Sequence, residues 1–291
     1  MTLNRERRAP LFVVAGVVLA AAACGDTGTA AGSRGTLTVG AVDTPKSELL
    51  AQIYGQALAH DGYAITYAPK LGNRDAITPL LEAGLIDLYP GYAATELEYF
   101  NKGAKEATSD AGATTAKLNS AIRPFGLVAL NPSPAVDQFA FAVTKATQAK
   151  YKLSKVSDLA AVAGALTLGA GSDCGAADYC AAGLKKTYGV SFRSVKSLDV
   201  DGPLTRAAFK DGSIDVGLVV LADDKHLENA DNVVPVLREA ASNPEVDRIL
   251  NAIDAKLTTA GVATMNSQVA VQLQDPAAVA TAWLQQHNYW S

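Results

Sequence analysis

Tyr89 and Tyr92 flank a proline and a glycine in "GLIDLYPGYAAT", residues 84–95. Aromatic residues at a Pro-Gly turn are either packing lids or binding surfaces. Pro-Gly pairs mark turns that carry backbone to a surface. The expectation is a strand that stops at Tyr89, a turn at Pro90-Gly91, and Tyr92 presented beyond it toward a cleft. Tyr89, still in the strand, is expected to pack. The plainer role for Tyr92 is packing between two lobes.

Other reactive residues do not assemble into a catalytic set. Ser172 and Asp173 lie in "GAGSDCG" (169–175), but a nucleophile elbow Gly-x-Ser-x-Gly would need glycine at 174, where Cys174 stands. The histidines are His60, His226 and His287, none near that serine in sequence. Asp223-Asp224 could hold a cation, but adjacent carboxylates after a strand read better as a helix cap. No glycine-rich phosphate loop precedes a helix in register. The chain is therefore read as no enzyme, with no cofactor and no metal. Cys174 and Cys180 are too widely spaced for a Cys-x-x-Cys redox pair and too few for a metal. In an exported chain they are expected to form a structural disulfide.

Export is read from the N-terminus. Arg5, Arg7 and Arg8 precede an apolar run from Leu11 to Ala23 that ends at Cys24. Such a run is too short to span a bilayer and suits a signal peptide. Small residues before Cys24 fit a bacterial lipobox, with Ala21 where leucine is usual, so Cys24 is the expected lipidation site. Ordinary signal-peptidase cleavage is the alternative. Residues 1–23 are the expected signal peptide. Residues 24–35, rich in Gly, Thr and Ala, are read as a flexible tether. The expected location is the outer face of the cell membrane, held by lipid on Cys24, or else periplasmic or secreted.

The 291 residues are 49% hydrophobic with a net charge of −4, ample for a core and without a basic stripe, which excludes nucleic acid as a partner. Strand, helix, strand, helix, strand is the order expected over 36–42, 47–62, 63–68, 74–84 and 85–89. Ser47 is the expected cap of the first helix, and Pro79 a bend or first turn in the second. Such an order implies a parallel sheet covered by helices. A second set follows: strand 139–144, a short helix capped by Ser157, strand 165–170, a helix stopping at Gly189, helix 204–210 and strand 214–220. "LLEAGLIDLY" and "AFKDGSIDVG" share a helix–Gly–Ile-Asp–strand pattern, which suggests two similar lobes. Strand 232–237 and helices near 245–257, 264–273 and 276–286 are expected to pack back on the first lobe.

These segments resemble the glycine betaine/choline-binding proteins of ABC importers, the ProX-like osmoprotectant family. "LGNRDAITPLLEAGLIDLYPGYAAT" matches a segment that in the family ends in Glu-Tyr-Thr-Gly-Thr. "DQFAFAV", "SKVSDL", "DCGAADYCAAGLKKTYGVSF" and "LADDKHLENADNVVPVLR" follow in the family's order, covering roughly residues 36–285. The resemblance implies an α/β, two-lobed periplasmic-binding-protein (type II) fold with a ligand cleft between lobes. Lobe 1 would comprise 36–137 plus 223–291, and lobe 2 138–222. It also implies a receptor, expected to be monomeric, that closes on a quaternary ammonium solute and delivers it to a membrane permease. Aromatic rings from both lobes would cage the trimethylammonium group.

Position by position, the resemblance puts Tyr92 on a cage ring, Thr95 on a hydroxyl donor, and Asp137 and Phe139 on the crossover's Asp-x-Tyr. Leu204 and Thr205 lie where another second-lobe contact belongs. The family's carboxylate-clamping arginine falls on Ala177, and an expected aromatic near Gly217 has no counterpart. Lys46 or nearby backbone amides would then have to receive a ligand carboxylate, although a solvated surface lysine is the plainer reading of Lys46. A choline-like cation, or a neutral or aromatic solute, is as compatible as a betaine. A protein-binding envelope lipoprotein is the remaining alternative.

Overall fold

The computed structural model describes residues 34–137, 141–172, 174–176, 180–198, 203–215 and 219–289. The first lobe begins β1 (Thr36–Gly40), α1 (Pro45–His60), β2 (Ala64–Ala68), α2 (Arg74–Glu82), β3 (Leu88–Tyr92), α3 (Ala93–Phe100), α4 (Ala111–Ile122) and β4 (Leu127–Ala129). The second lobe has β5 (Ala142–Val143), α5 (Lys145–Tyr151), β6 (Thr167–Ala170), α6 (Ala181–Tyr188), β7 (Ser194–Ser197), α7 (Pro203–Lys210) and β8 (Val219–Val220). The chain then returns with β9 (Val233–Arg238), α8 (Pro244–Asp254), α9 (Thr259–Ala270) and α10 (Pro276–Gln286).

The first lobe's sheet has the order β2-β1-β3-β9-β4. β1 runs parallel to β2 and β3, as a β-α-β connection requires, while β9 is antiparallel to β3 and β4. Both faces are covered. Leu37, Val39 and Leu88 meet α1 and the returning helices α8–α10 through Leu49, Ile249, Val262 and Trp283. Ile86, Tyr89, Val234 and Val236 meet α2, α3 and α4 through Ile77, Leu97 and Leu118. The three C-terminal helices thus pack on the first lobe by way of α1.

The second lobe has its own core, including Phe141, Val143, Leu159, Leu168, Leu184 and Leu221. β6 pairs β7 in parallel and β5 pairs β8 antiparallel. Cys174 and Cys180 are joined in a disulfide at the start of α6 and lie within that core.

Local expectations are corrected in several places. The cap of α1 is Thr44, whose hydroxyl accepts from Ser47 N at 3.2 Å. Ser47 Oγ turns back to accept from Val42 N at 3.1 Å. Val156–Ala161 is a 3₁₀ turn in which Asp158, not Ser157, accepts the freed amides of Ser154 and Lys155. Pro79 lies inside α2. β8 is paired at 219–220, and Ile214 and Asp215 lie outside it; residues 216–218 are not among those described.

The largest correction concerns Pro90-Gly91. These residues are the middle of β3, not a turn, with Pro90 opposite Pro235 and Gly91 opposite Val234. Proline fits a strand only where its missing N–H is not needed. Pro235 turns its carbonyl toward the β4 side, where it accepts from Leu130 N at 3.0 Å, so the two facing prolines do not need each other's missing N–H. Pairing with a distant segment therefore overrides the local turn chemistry.

Candidate functional site

Side chains alternate faces along a strand, so Tyr89 and Tyr92, three apart, point to opposite sides of β3. Tyr89 is buried under α2, α3 and α4. Tyr92 ends the strand on the α1 face, where its half-buried ring packs against the core that contains Leu88 and Val233. It is also the residue that opens α3.

Over the Tyr92 ring sits a cation. Lys46 Nζ is 5.3 Å from the ring centroid and 2.6 Å from Asp137 Oδ2. Lys46 occupies the first turn of α1, just after Pro45, where the helix dipole disfavours positive charge. Asp137 offsets that. The Asp137 side chain is 46% exposed, so this pair is of the solvated kind, worth about 0–1 kcal/mol. Lys46 can therefore leave Asp137 at small cost.

Beside this trio lies a drier cluster on α2, α3 and the approach to β9. Thr95 N and Oγ1 both donate to Asp231, at 2.8 and 2.5 Å. Arg74 Nε donates to Glu96 Oε1 at 2.8 Å, and the Glu96 side chain is buried. Burial pushes the Asp231 carboxyl up; the two Thr95 bonds and Arg74 pull it down, and Asp137 pushes it up. Burial likewise raises Glu96 against the pull of Arg74, with Asp231 adding to the rise. The Tyr92 hydroxyl is buried, makes no hydrogen bond, and is raised by burial first and then by Asp137 and Asp231, with Arg74 opposing. The ring is thus held as the neutral phenol, a π face flanked by two carboxylates. Below it, the Tyr54 hydroxyl donates to the buried Asp254 at 2.7 Å.

Of the residues expected at a site, Lys46, Tyr92 and Asp137 come into direct contact. Thr95 joins them through Asp231, its hydroxyl hydrogen already given to that carboxylate. Leu204, 61% exposed, and Thr205 lie on α7 in the second lobe. Phe139, Ala177, Gly217 and Cys24 lie outside the described residues. Asp223 and Asp224, read as a helix cap, instead organise the chain's return from β8. Asp223 accepts from Tyr188 Oη and from the amides of Leu227 and Glu228, and Asp224 from Ser157 N. Sequence reasoning gave no role to Arg74, Glu96 and Asp231. A signal for Asp231 was present as a carboxylate just before an apolar strand, but its partner Thr95 lies 136 residues away. Among the described residues no group of three or more His, Cys, Asp or Glu is placed to hold a metal. Nor is any described helix long and apolar enough to cross a membrane.

The geometry can be set beside known proteins. The profile of the family described as the substrate-binding domain of ABC-type glycine betaine transport systems matches residues 35–286. A carnitine transport binding protein of Listeria monocytogenes is 24% identical, covering 92% of this chain and 92% of its own length. A glycine-betaine-binding protein of Pseudomonas aeruginosa is 26% identical, covering 87% and 88%. Among solved structures, one titled as a glycine betaine/carnitine/choline ABC transporter superposes with a TM-score of 0.79 at 24% identity, covering 88% of this chain and all of that one. That likeness carries the two-lobed α/β fold.

Proposed function

The chain belongs to the family of substrate-binding domains of ABC-type glycine betaine transport systems, and from that premise we propose that it is an extracytoplasmic receptor for a quaternary ammonium osmoprotectant of the glycine betaine or choline kind. A member of this family binds solute and is not an enzyme. The observation that carries the ligand class is the Tyr92 ring with a cation already over it, the Lys46 ammonium at 5.3 Å. A trimethylammonium group cannot donate hydrogen bonds, so a ring face suits it better than a carboxylate alone. Asp137 and Asp231, both felt at the Tyr92 hydroxyl, favour positive charge beside the ring.

Binding then proceeds by exchange. The quaternary group takes the ring face, and Lys46 moves aside. A betaine carboxylate would receive Lys46 as its partner, which the exposed Lys46–Asp137 pair releases cheaply. A choline-like solute lacks that carboxylate and would keep Lys46 on Asp137. Phe139 and the α7 residues Leu204 and Thr205 are proposed to close over the solute from the second lobe, in a cleft that shuts as the lobes approach. The receptor would act as a monomer, held at the outer face of the cell membrane by lipid on Cys24, and would hand its solute to the membrane permease.

The test is a ligand screen on the purified protein. Glycine betaine, choline, carnitine and proline betaine should each be tried by thermal melting, which rises with a true ligand as RT ln(1 + [L]/Kd). At least one should raise Tm in a saturable way. No shift with any of them, with a neutral or aromatic solute shifting Tm instead, would overturn the ligand class.

A further inference from the structure

Thr95 and Glu96 are neighbours on α3, and each ties down one charged partner. Thr95 holds Asp231, and Glu96 holds Arg74. The Glu96 side chain lies in the space beside Gly91, where a Cβ would meet Glu96 Cγ at 3.2 Å and Val236 Cγ2 at 2.8 Å. Glycine at 91 is what leaves room for it. Glu96 is wholly enclosed, and its second oxygen makes no hydrogen bond. Arg74 is 26% exposed, and its charge reaches Asp231 and Tyr89 as well as Glu96.

The charges that reach Tyr92 are Lys46 and Arg74 against Asp137 and Asp231, which balance; Glu96, beside Gly91 and Val236, engages Arg74 from the Tyr89 face. Remove Glu96 and the guanidinium, which cannot shed its proton, is left to neutralise Asp231 instead. We propose that Glu96 is a positioning residue. Seated beside Gly91, it engages Arg74, keeps that charge from cancelling Asp231, and biases the Tyr92 site toward a solute that is cationic overall over one that also carries a carboxylate. This rests on the receptor reading above. Glu96 itself is enclosed and touches no solute; it acts through Arg74 and Asp231.

The experiment compares E96Q, R74Q and R74K in the full chain. Gln keeps the shape of Glu96 and an oxygen for Arg74 to bond. Calorimetric Kd values for choline and glycine betaine give a ratio for each variant. E96Q should shift that ratio about three- to tenfold toward glycine betaine at low salt, and R74Q should shift it toward choline. R74K should restore the ratio of the unaltered protein. A purely structural role would weaken both ligands by a common factor, and an unmoved ratio in both E96Q and R74Q overturns the proposal. A second readout needs no ligand. In carboxyl-carbon NMR, the Asp231 titration should move down in E96Q and up in R74Q. R74Q changes a partly exposed residue, so it keeps the test alive if E96Q does not fold. If the unaltered protein binds neither solute, the receptor reading fails, and the NMR arm still decides this one: an unmoved Asp231 contradicts it.

Discussion

The junctions Gly84–Asp87 and Gly212–Asp215 are built alike, one in each lobe. Each glycine has φ of +71°, a left-handed turn that stops the preceding helix. Each aspartate clasps a threonine of the neighbouring strand. Asp87 Oδ2 accepts from Thr38 N at 2.7 Å, and Asp215 Oδ2 accepts from Thr167 N at 2.8 Å. The aspartate amides donate back, to Thr38 O at 2.8 Å and Thr167 O at 3.1 Å. Two residues past each threonine stands a glycine against which the junction's isoleucine packs. A Cβ at Gly40 would meet Ile86 Cδ1 at 2.7 Å, and one at Gly169 would meet Ile214 Cδ1 at 2.6 Å. One local design has been used twice.

What differs is the surroundings. Asp87 is also paired with Arg238 on β9, so the first junction is tied into the five-stranded sheet. The second sits on the β6–β7 pair, whose Leu168 shares a core with the Cys174–Cys180 disulfide. The first lobe is held by a large two-faced core, and the second by a smaller core and a covalent staple. The difference indicates that a shared motif fixes local geometry, while the sheet around it decides how firmly the geometry is held.

The comparison is broken hardest at the aspartates. D87A removes the clasp and strands Arg238, so it should cost about 2–4 kcal/mol in urea unfolding, and D215A about 1–2 kcal/mol. Equal costs would mean that the Arg238 pair adds nothing. C174S/C180S should cost about 2 kcal/mol for so short a loop, expressed as faster exchange of second-lobe amides while β1 and β3 stay protected. Loss of protection in both lobes together would show them to be one cooperative unit. The smallest effect sharpens the return from β8 to β9. Glu228 is buried there, one carboxyl oxygen has no hydrogen bond, and burial with Asp223 pushes its carboxyl up to about 7. The folded protein therefore favours the protonated form. That contribution is full below the unfolded value of about 4.3 and is lost as pH rises through 7. E228Q should flatten the fall in Tm between pH 5 and 8; an unchanged slope would place the titration elsewhere.

The repeated junction was legible because it is local. A helix period, a glycine stop, Ile-Asp and an apolar run lie within a dozen residues, and each signal agrees with its neighbours. The same holds for the first lobe's strand–helix order and for the three closing helices. Pro90-Gly91 was misread for the opposite reason: its strand pairing comes from Pro235 and Val234, more than 140 residues away. β7 carried no signal at all, because Ser194–Ser197 are all exposed and show no apolar alternation. At the site, the residue types of Tyr92 and Lys46 could be read, but not that Lys46 would stand over the ring. Arg74, Glu96 and Asp231 gain their meaning only when α2, α3 and the approach to β9 meet.

The most direct test of the account is calorimetric titration of glycine betaine and choline into the protein and into Y92A. Saturable binding to at least one solute, with affinity falling at least tenfold in Y92A, is the predicted result. A Y92A protein that binds the same solute as tightly as before would contradict it.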